Sequence, residues 1–294
     1  MANSNFHHKK VVSYFKESKL GYDLVLGGVK HFGYYPDKIN HITENKAQEL
    51  MHNILEKKLN IKKNQTILDA GCGQGIVSAY LAKKHDCRII GITIVPFEVG
   101  KARILAEKLR VSSKVEYHLM DYTNTNFEEN KFDSIYAVES FVHSPDANAT
   151  LNEFFRILKP GGKLAIFDYT ISKDEEFTNR EEKMWGMIVK RTAMGSIKMM
   201  RHDSFVNLLK KAGFSNISQE DISQNVLPSI RKLNKLAKIP YFFVNFFKIH
   251  AYFINVTAAI EVYKLAQKGL FKYNIFTAQK PINRTKVPIN FPKK

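Results

Sequence analysis

Between Thr66 and Tyr169 the hydrophobic period switches back and forth, and no other feature narrows the fold as much. Thr66-Ile67-Leu68-Asp69, Arg88-Ile89-Ile90-Gly91-Ile92, Val115–Leu119, Phe132–Val138 and Lys163–Tyr169 are short apolar runs of strand type. Ile76–Lys84, Val99–Leu109 and Thr150–Leu158 lie between them with helical spacing. Strands alternating with such helices imply right-handed crossovers and a mostly parallel sheet. Two further strands are predicted at Phe214–Ile222 and Tyr273–Gln279, which makes seven in a doubly wound α/β fold.

The flanks read differently. Residues 1–60 repeat apolar positions at roughly helical spacing (Val11, Val12, Phe15, then Ala47, Leu50, Met51, Ile54, Leu55, Leu59). Between them lies an aromatic-rich, non-helical piece, Tyr22-Asp23-Leu24 and His31-Phe32-Gly33-Tyr34-Tyr35-Pro36. This segment is expected to form a helical lid, with the core at 61–170. Beyond Thr170 the alternation stops: His202–Ala212 reads as a helix ending at Gly213, and Leu227–Ala266 as helical and aromatic-rich. Residues 171–281 are therefore expected to complete the sheet around an inserted helical substrate cap, and 282–294 to form a basic tail.

A chain of 294 residues fits one large domain or one domain with a cap. Hydrophobic residues at 44% and charged residues at 25% exclude disordered and fibrous classes. Cys72 and Cys87 cannot staple a domain this size, and no basic-apolar-small leader opens the sequence, so a reducing, cytoplasmic setting is expected. The net charge is +17, and it is uneven: residues 222–294 hold 13 Lys and Arg against one acid, Glu261, or +12. Such asymmetry points to an anionic partner: a phosphorylated substrate, a membrane surface or nucleic acid. Ile239–Ile260 is interrupted by Asn245, Lys248, His250 and Asn255 and does not qualify as a membrane span.

Asp69-Ala70-Gly71-Cys72-Gly73-Gln74-Gly75 runs from the first strand into a helix. Glycines there let the backbone turn tightly and approach a ligand, and the helix N-terminus offers free N–H groups. The spacing is Gly-x-Gly-x-Gly, with an acid directly before it. A carboxylate at that place repels a pyrophosphate and suits the ammonium of a methionine-type cofactor.

Leu68 to Gly75 resembles the first motif of class I S-adenosylmethionine-dependent methyltransferases, whose sheet is Rossmann-like, and Met120-Asp121-Tyr122 resembles their acid after the third strand. The resemblance implies S-adenosylmethionine as cofactor and Asp121 as the group that accepts a hydrogen bond from the adenine amine. The family often ends its second strand in an acid that grips the ribose; Gly91-Ile92-Thr93-Ile94-Val95 has none, and Glu98 lies further on. His31-Phe32-Gly33-Tyr34-Tyr35, Gly91-Ile92-Thr93-Ile94 and Val138-Glu139-Ser140-Phe141-Val142-His143-Ser144-Pro145 are similar to stretches of the sterol and tocopherol methyltransferases and related natural-product enzymes. So are Gly269-Leu270, Ile275-Phe276-Thr277 and Lys280-Pro281. The fourth strand ends in Ala137-Val138-Glu139-Ser140 rather than the Asn/Asp-Pro-Pro-Tyr loop of one large group of amino and nucleobase N-methyltransferases, so no specific nucleic-acid partner is expected.

Methyl transfer from a sulfonium asks the protein for alignment and proton management. Attack by an alkene leaves a carbocation, which needs negative charge or aromatic faces and then a base. Glu139 and His143 suit those tasks, and Tyr22, Tyr34 and Tyr35 are candidates to close over the sulfonium. The expected catalytic set is Glu139, His143 and Tyr34. The expected cofactor set is Tyr22, Asp69, Gly71, Cys72, Gly73, Gly75, Thr93, Ile94, Asp121, Tyr122 and Glu139. No histidine spacing suits a metal.

Tyr241-Phe242-Phe243-Val244-Asn245-Phe246-Phe247, with Tyr252 and Phe253, is too apolar around its circumference for a plain surface helix. Three readings stay open: the wall of a lipophilic pocket, core or homo-oligomer interface, and peripheral membrane contact. The expected activity is C-methylation of a terpenoid (a prenyl diphosphate) or sterol-like acceptor. Heteroatom methylation of an aromatic or polyketide product, with His143 as base, is the rival. A non-catalytic cofactor-binding or RNA-associated protein is the rival from another class.

Overall fold

A computed structural model of the chain describes residues 2–25, 31–36 and 41–282. Helices α1 (Ala2–Val25) and α2 (Glu44–Leu59) precede the alternating part. There β1 (Thr66–Ala70), α3 (Ile76–Lys84), β2 (Arg88–Thr93), α4 (Pro96–Lys108), β3 (Val115–Leu119), β4 (Phe132–Val138), α5 (Ala147–Ile157) and β5 (Leu158–Ile171) follow in turn. Helices α6 (Asn179–Arg191) and α7 (Phe205–Lys211), β6 (Ser215–Asp221), α8 (Ser223–Phe246), α9 (Ile254–Gln267) and β7 (Phe271–Gln279) complete the chain.

The seven strands form one sheet in the order β3-β2-β1-β4-β5-β7-β6. The first five strands pair in parallel, and β7 runs antiparallel between β5 and β6. Helices cover both faces, so the central strands read as unbroken apolar runs: Ile67, Leu68, Ile89, Ile92, Ile135, Ala165 and Ile166 are all fully buried. Edge strand β6 is mostly exposed and polar, which discourages pairing with another chain.

Three elements depart from the sequence reading. Helix α1 continues through Tyr22-Asp23-Leu24, because Gly21 alone costs only about 1 kcal/mol in a helix. The single helical stretch expected at Leu227–Ala266 is two helices packed on each other, broken at 247–253, where Lys248 has a φ of 56°. Helix α6 was not anticipated; a capping box between Thr178 and Glu181 starts it, and Thr-x-x-Glu is its sequence signal.

Helices α8 and α9 stand between β6 and β7 in the chain, and α6 packs on α9. Buried Glu261 ties the three together, accepting from Arg180 at 2.9 Å, Lys264 at 3.0 Å and the Tyr241 hydroxyl at 2.8 Å. No helix among the described residues is long and apolar enough to cross a membrane.

Candidate active site

Between β1 and β4 the strand order reverses, and such a reversal leaves a crevice at the carboxyl ends of the strands. A cleft of about 1130 Å³, its open mouth included, lies there. Asp69 at the end of β1 lines it and is buried, with Oδ2 lacking any hydrogen-bond partner. Burial raises its pKa to about 7. The next turns need glycine. Gly71 has φ +86°, and a Cβ there would stand 2.4 Å from the Ser140 Cβ; Gly73 has φ +51° and faces open space. The Gly71 and Cys72 N–H groups both donate to the Ile92 carbonyl at 2.9 Å, which pins the loop to β2.

The opposite wall comes from the ends of β2 and β3. Thr93 donates to buried Glu98 at 2.8 Å, and both line the cleft with Ile94. The acid missing from the strand end thus reaches the same wall from the first turn of α4. Asp121 accepts from the Thr123 N–H at 2.8 Å and its hydroxyl at 2.6 Å, and lies 3.0 Å from His8 Nε2. The Tyr122 hydroxyl donates to the Ser140 carbonyl at 2.8 Å. Burial pushes the Cys72 thiol well up, so it stays protonated.

A second cavity, about 1330 Å³ with its mouth, adjoins the first and shares Tyr14, His31, Glu139, Tyr169 and Met194 with it. Aliphatic side chains dominate the rest of its wall, among them Ile188, Ile230, Leu233, Val256, Ala259 and Val262. Glu139 therefore sits where the carboxylate-bearing cleft meets an aliphatic chamber. It holds a φ of 48° just after β4 and accepts from the Phe32 N–H at 2.7 Å and from the Tyr169 hydroxyl. Burial raises its pKa to about 8, with those two hydrogen bonds opposing the shift.

Two histidines border this junction. His143 Nδ1 donates to the Ala193 carbonyl at 3.2 Å, which puts the neutral ring's lone pair on Nε2. Its ring meets Phe15 edge-on at 5.2 Å. His31 Nδ1 donates to the Phe32 carbonyl at 2.9 Å, so its Nε2 must accept from His52 Nε2–H at 2.8 Å. Burial lowers His31 to about 4 and His52 to about 2, so both rings are neutral. Helix α1 closes the cleft from above: Val11, Tyr14 and Phe15 line it, and His7 donates to the His143 carbonyl at 2.8 Å.

Ten expected site residues line the cleft together: Asp69, Gly71, Cys72, Gly73, Thr93, Ile94, Asp121, Tyr122, Glu139 and His143. Tyr34 does not; its N–H donates to the Ala47 carbonyl at 2.9 Å and its ring, partly buried, packs against the core. Gly75 is also outside the lining, and instead turns the chain into α3 with φ +77° against the Tyr117 ring. The Tyr22 side chain and residues 283–294 of the basic tail lie outside the described residues. The sequence reading missed Tyr14, His31 and Tyr169 as wall residues; their one signal was the aromatic, histidine-bearing composition of the segments around the glycine loop.

A family model for the methyltransferase domain matches residues 68–166. The chain is 31% identical over 272 residues to an S-adenosyl-L-methionine-dependent Diels-Alderase of Talaromyces variabilis, a match covering 90% of this chain and 92% of that protein. It is 28% identical over 224 residues to a sterol 24-C-methyltransferase of Kluyveromyces lactis, covering 73% of this chain but only 60% of that enzyme. Among solved structures it superposes on the [4+2]-cyclase SpnF with a TM-score of 0.77 at 21% identity, covering 93% of this chain and 96% of that one. An acid-led glycine loop at a strand switch point and a relative matched over nine-tenths of both chains agree: the chain belongs to the class I S-adenosylmethionine-dependent methyltransferases, in the branch that holds the sterol and tocopherol methyltransferases.

Proposed function

We propose that this enzyme methylates a lipophilic acceptor at carbon, the acceptor being sterol-like or terpenoid. One observation carries the reading: the cleft that holds Asp69, Glu98 and Asp121 and the aliphatic chamber meet at a single carboxyl group, Glu139. The residues of the cleft fit the cofactor, since Asp69 Oδ2 is a buried acceptor without a partner and Gly73 leaves open space where a Cβ would stand. Asp69 would hold the ammonium, Asp121 the adenine amine, and Thr93 with Glu98 the ribose hydroxyls. When bound, the cofactor would supply an electrophilic methyl group, the electron pair of the broken methyl–sulfur bond staying on sulfur in the neutral thioether that leaves.

The chain's own residues handle the charge that follows. An acceptor double bond that gains the methyl becomes a carbocation, and ionised Glu139 with the Tyr169 and Tyr14 rings faces it. Glu139 then takes the proton from the neighbouring carbon, which restores a double bond. Neutral His31 adds no positive charge to oppose the cation. Among the described residues the chamber wall holds no lysine or arginine, so hydrocarbon contact selects the acceptor.

A second reading has its own support, because the relative matching 90% of the chain is named as a Diels-Alderase. In it a polyene folds in the same chamber and closes by [4+2] cyclisation, an isomerisation that leaves the cofactor's methyl in place. Methyl-labelled cofactor, offered with sterols, prenyl diphosphates, prenylated aromatics and linear polyenes, separates the two. Label in an extracted hydrocarbon skeleton supports the first reading. A cyclised, unlabelled polyene establishes the second, and label in an ether, ester or amine moves the base role to His143.

A further inference from the structure

The aromatic segment that the sequence left with three readings divides in the structure. Tyr241 and Val244 face inward, and Leu236 and Pro240 wall the chamber while remaining open to solvent. Phe242, Phe243, Phe246, Phe247, Tyr252 and Phe253 are all at least half exposed, Tyr252 at 83%. Leu236, Pro240, Phe243 and Phe247 follow one another at helical spacing, so the stripe that edges the chamber mouth continues outward into bare aromatic surface. Ile239, Phe242 and Phe246, exposed at 77%, 66% and 70%, form the neighbouring stripe.

A rim of charge surrounds this surface. Lys235, Lys238 and Lys248 are exposed beside it, and Lys232, also exposed, lies 3.8 Å from the Glu44 carboxyl. The one acid in 222–282 is Glu261, which is buried and already paired with Arg180 and Lys264. Exposed aromatic patches of this kind mark an interaction site. Lysines around a bare apolar patch match an anionic lipid surface, where the rings sit at the headgroup boundary and the ammonium groups meet phosphates. With no described helix able to cross a bilayer, the contact is interfacial.

We propose that the end of α8, the 247–253 turn and the start of α9 dock on an anionic membrane surface. The chamber mouth at Leu236, Pro240, Asn255 and Val256 then opens toward the lipid, and the acceptor enters from the bilayer rather than from water. The docking stands without the proposed activity; only the nature of the cargo rests on that reading.

The test is sedimentation of the full chain with phosphatidylcholine vesicles and with phosphatidylcholine–phosphatidylserine vesicles, no cofactor or acceptor being needed. Binding to the anionic vesicles is expected, with salt weakening it. Lys235→Ala and Lys238→Ala each reduce it about fivefold. The pair Phe242→Ser with Phe246→Ser reduces it at least tenfold at unchanged thermal stability, because both rings already face solvent. As a second measurement, Phe246→Trp shifts its emission to the blue on vesicles and is quenched by brominated lipid. Absence of sedimentation by the folded protein overturns the proposal, as does unchanged binding of the serine pair. A dimer in solution that the serine pair dissociates overturns it too, by assigning the patch to a second copy. Loss of methyl transfer with intact vesicle binding overturns only the catalytic reading.

Discussion

Glu139 carries the most consequential single-residue argument. Its carboxyl is raised to about 8 by burial, so near neutral pH much of it is protonated in the ligand-free protein. A base works only when ionised, so kcat/KM should fall as pH drops below that value. A cationic cofactor alongside favours the carboxylate, which moves the limb of kcat to a lower pH than that of kcat/KM. Glu139→Gln should remove both limbs and cut kcat roughly 100-fold while leaving cofactor affinity within a few-fold, as pH–rate profiles and equilibrium binding would show. The neighbouring glycines make a paired prediction. Gly71→Ala drives a methyl into Ser140 at positive φ and should cost about 1–3 kcal/mol in denaturant melts. Gly73→Ala meets no protein atom, so the same melts should move less, while affinity for S-adenosylhomocysteine should fall more.

At the scale of elements, α6 is the cap helix that a side-chain cap holds, while α8 and α9 start without one. Helix α6 is set by the reciprocal Thr178–Glu181 bonds, at 3.0 Å and 3.3 Å to the backbone, and Lys268 of the α9 end also reaches Glu181. Thr178→Ala should therefore destabilise the protein by about 1 kcal/mol and raise hydrogen exchange first in α6. The strands and their helices were legible because their signal is local: apolar runs, glycine exits and a period change. The cleft followed, since most of its wall is backbone and side chains at strand ends. The chamber was not legible. Tyr169 and Phe32 reach Glu139 from distant parts of the chain, and nothing in the spacing of His31-Phe32-Gly33-Tyr34 tells that the histidine faces the cavities while Tyr34 packs away. The break at 247–253 was hidden for a related reason: an aromatic run continues across it without a proline or glycine.

For the whole molecule, the buried ionisable groups set how stability follows pH. Asp69 and Asp168 are raised to about 7 and Glu139 to about 8, each chiefly by burial. A raised carboxyl favours the fold while protonated, and that contribution is lost as pH climbs through its folded pKa. Buried His31 and His52 act oppositely: unfolding lets them bind protons below about 6.5, so their contribution grows with pH up to that point. From about 4.5 to 6.5 the two histidines offset two of the three carboxyls, and His202 and His250, also lowered by burial, offset part of the third; above 6.5 the carboxyls alone remain. The melting temperature of the ligand-free protein should therefore hold nearly level up to pH 6.5 and fall on the order of 5 °C by pH 8. Two of the three carboxyls face the proposed cofactor site, and an ammonium beside Asp69 favours its ionised form. The rise in melting temperature produced by S-adenosylhomocysteine should thus widen across that same window. Asp69→Asn should abolish most of the widening and also flatten part of the decline. A ligand-induced rise that stays constant from pH 6.5 to 8 would remove Asp69 as the ammonium partner, whatever the acceptor proves to be.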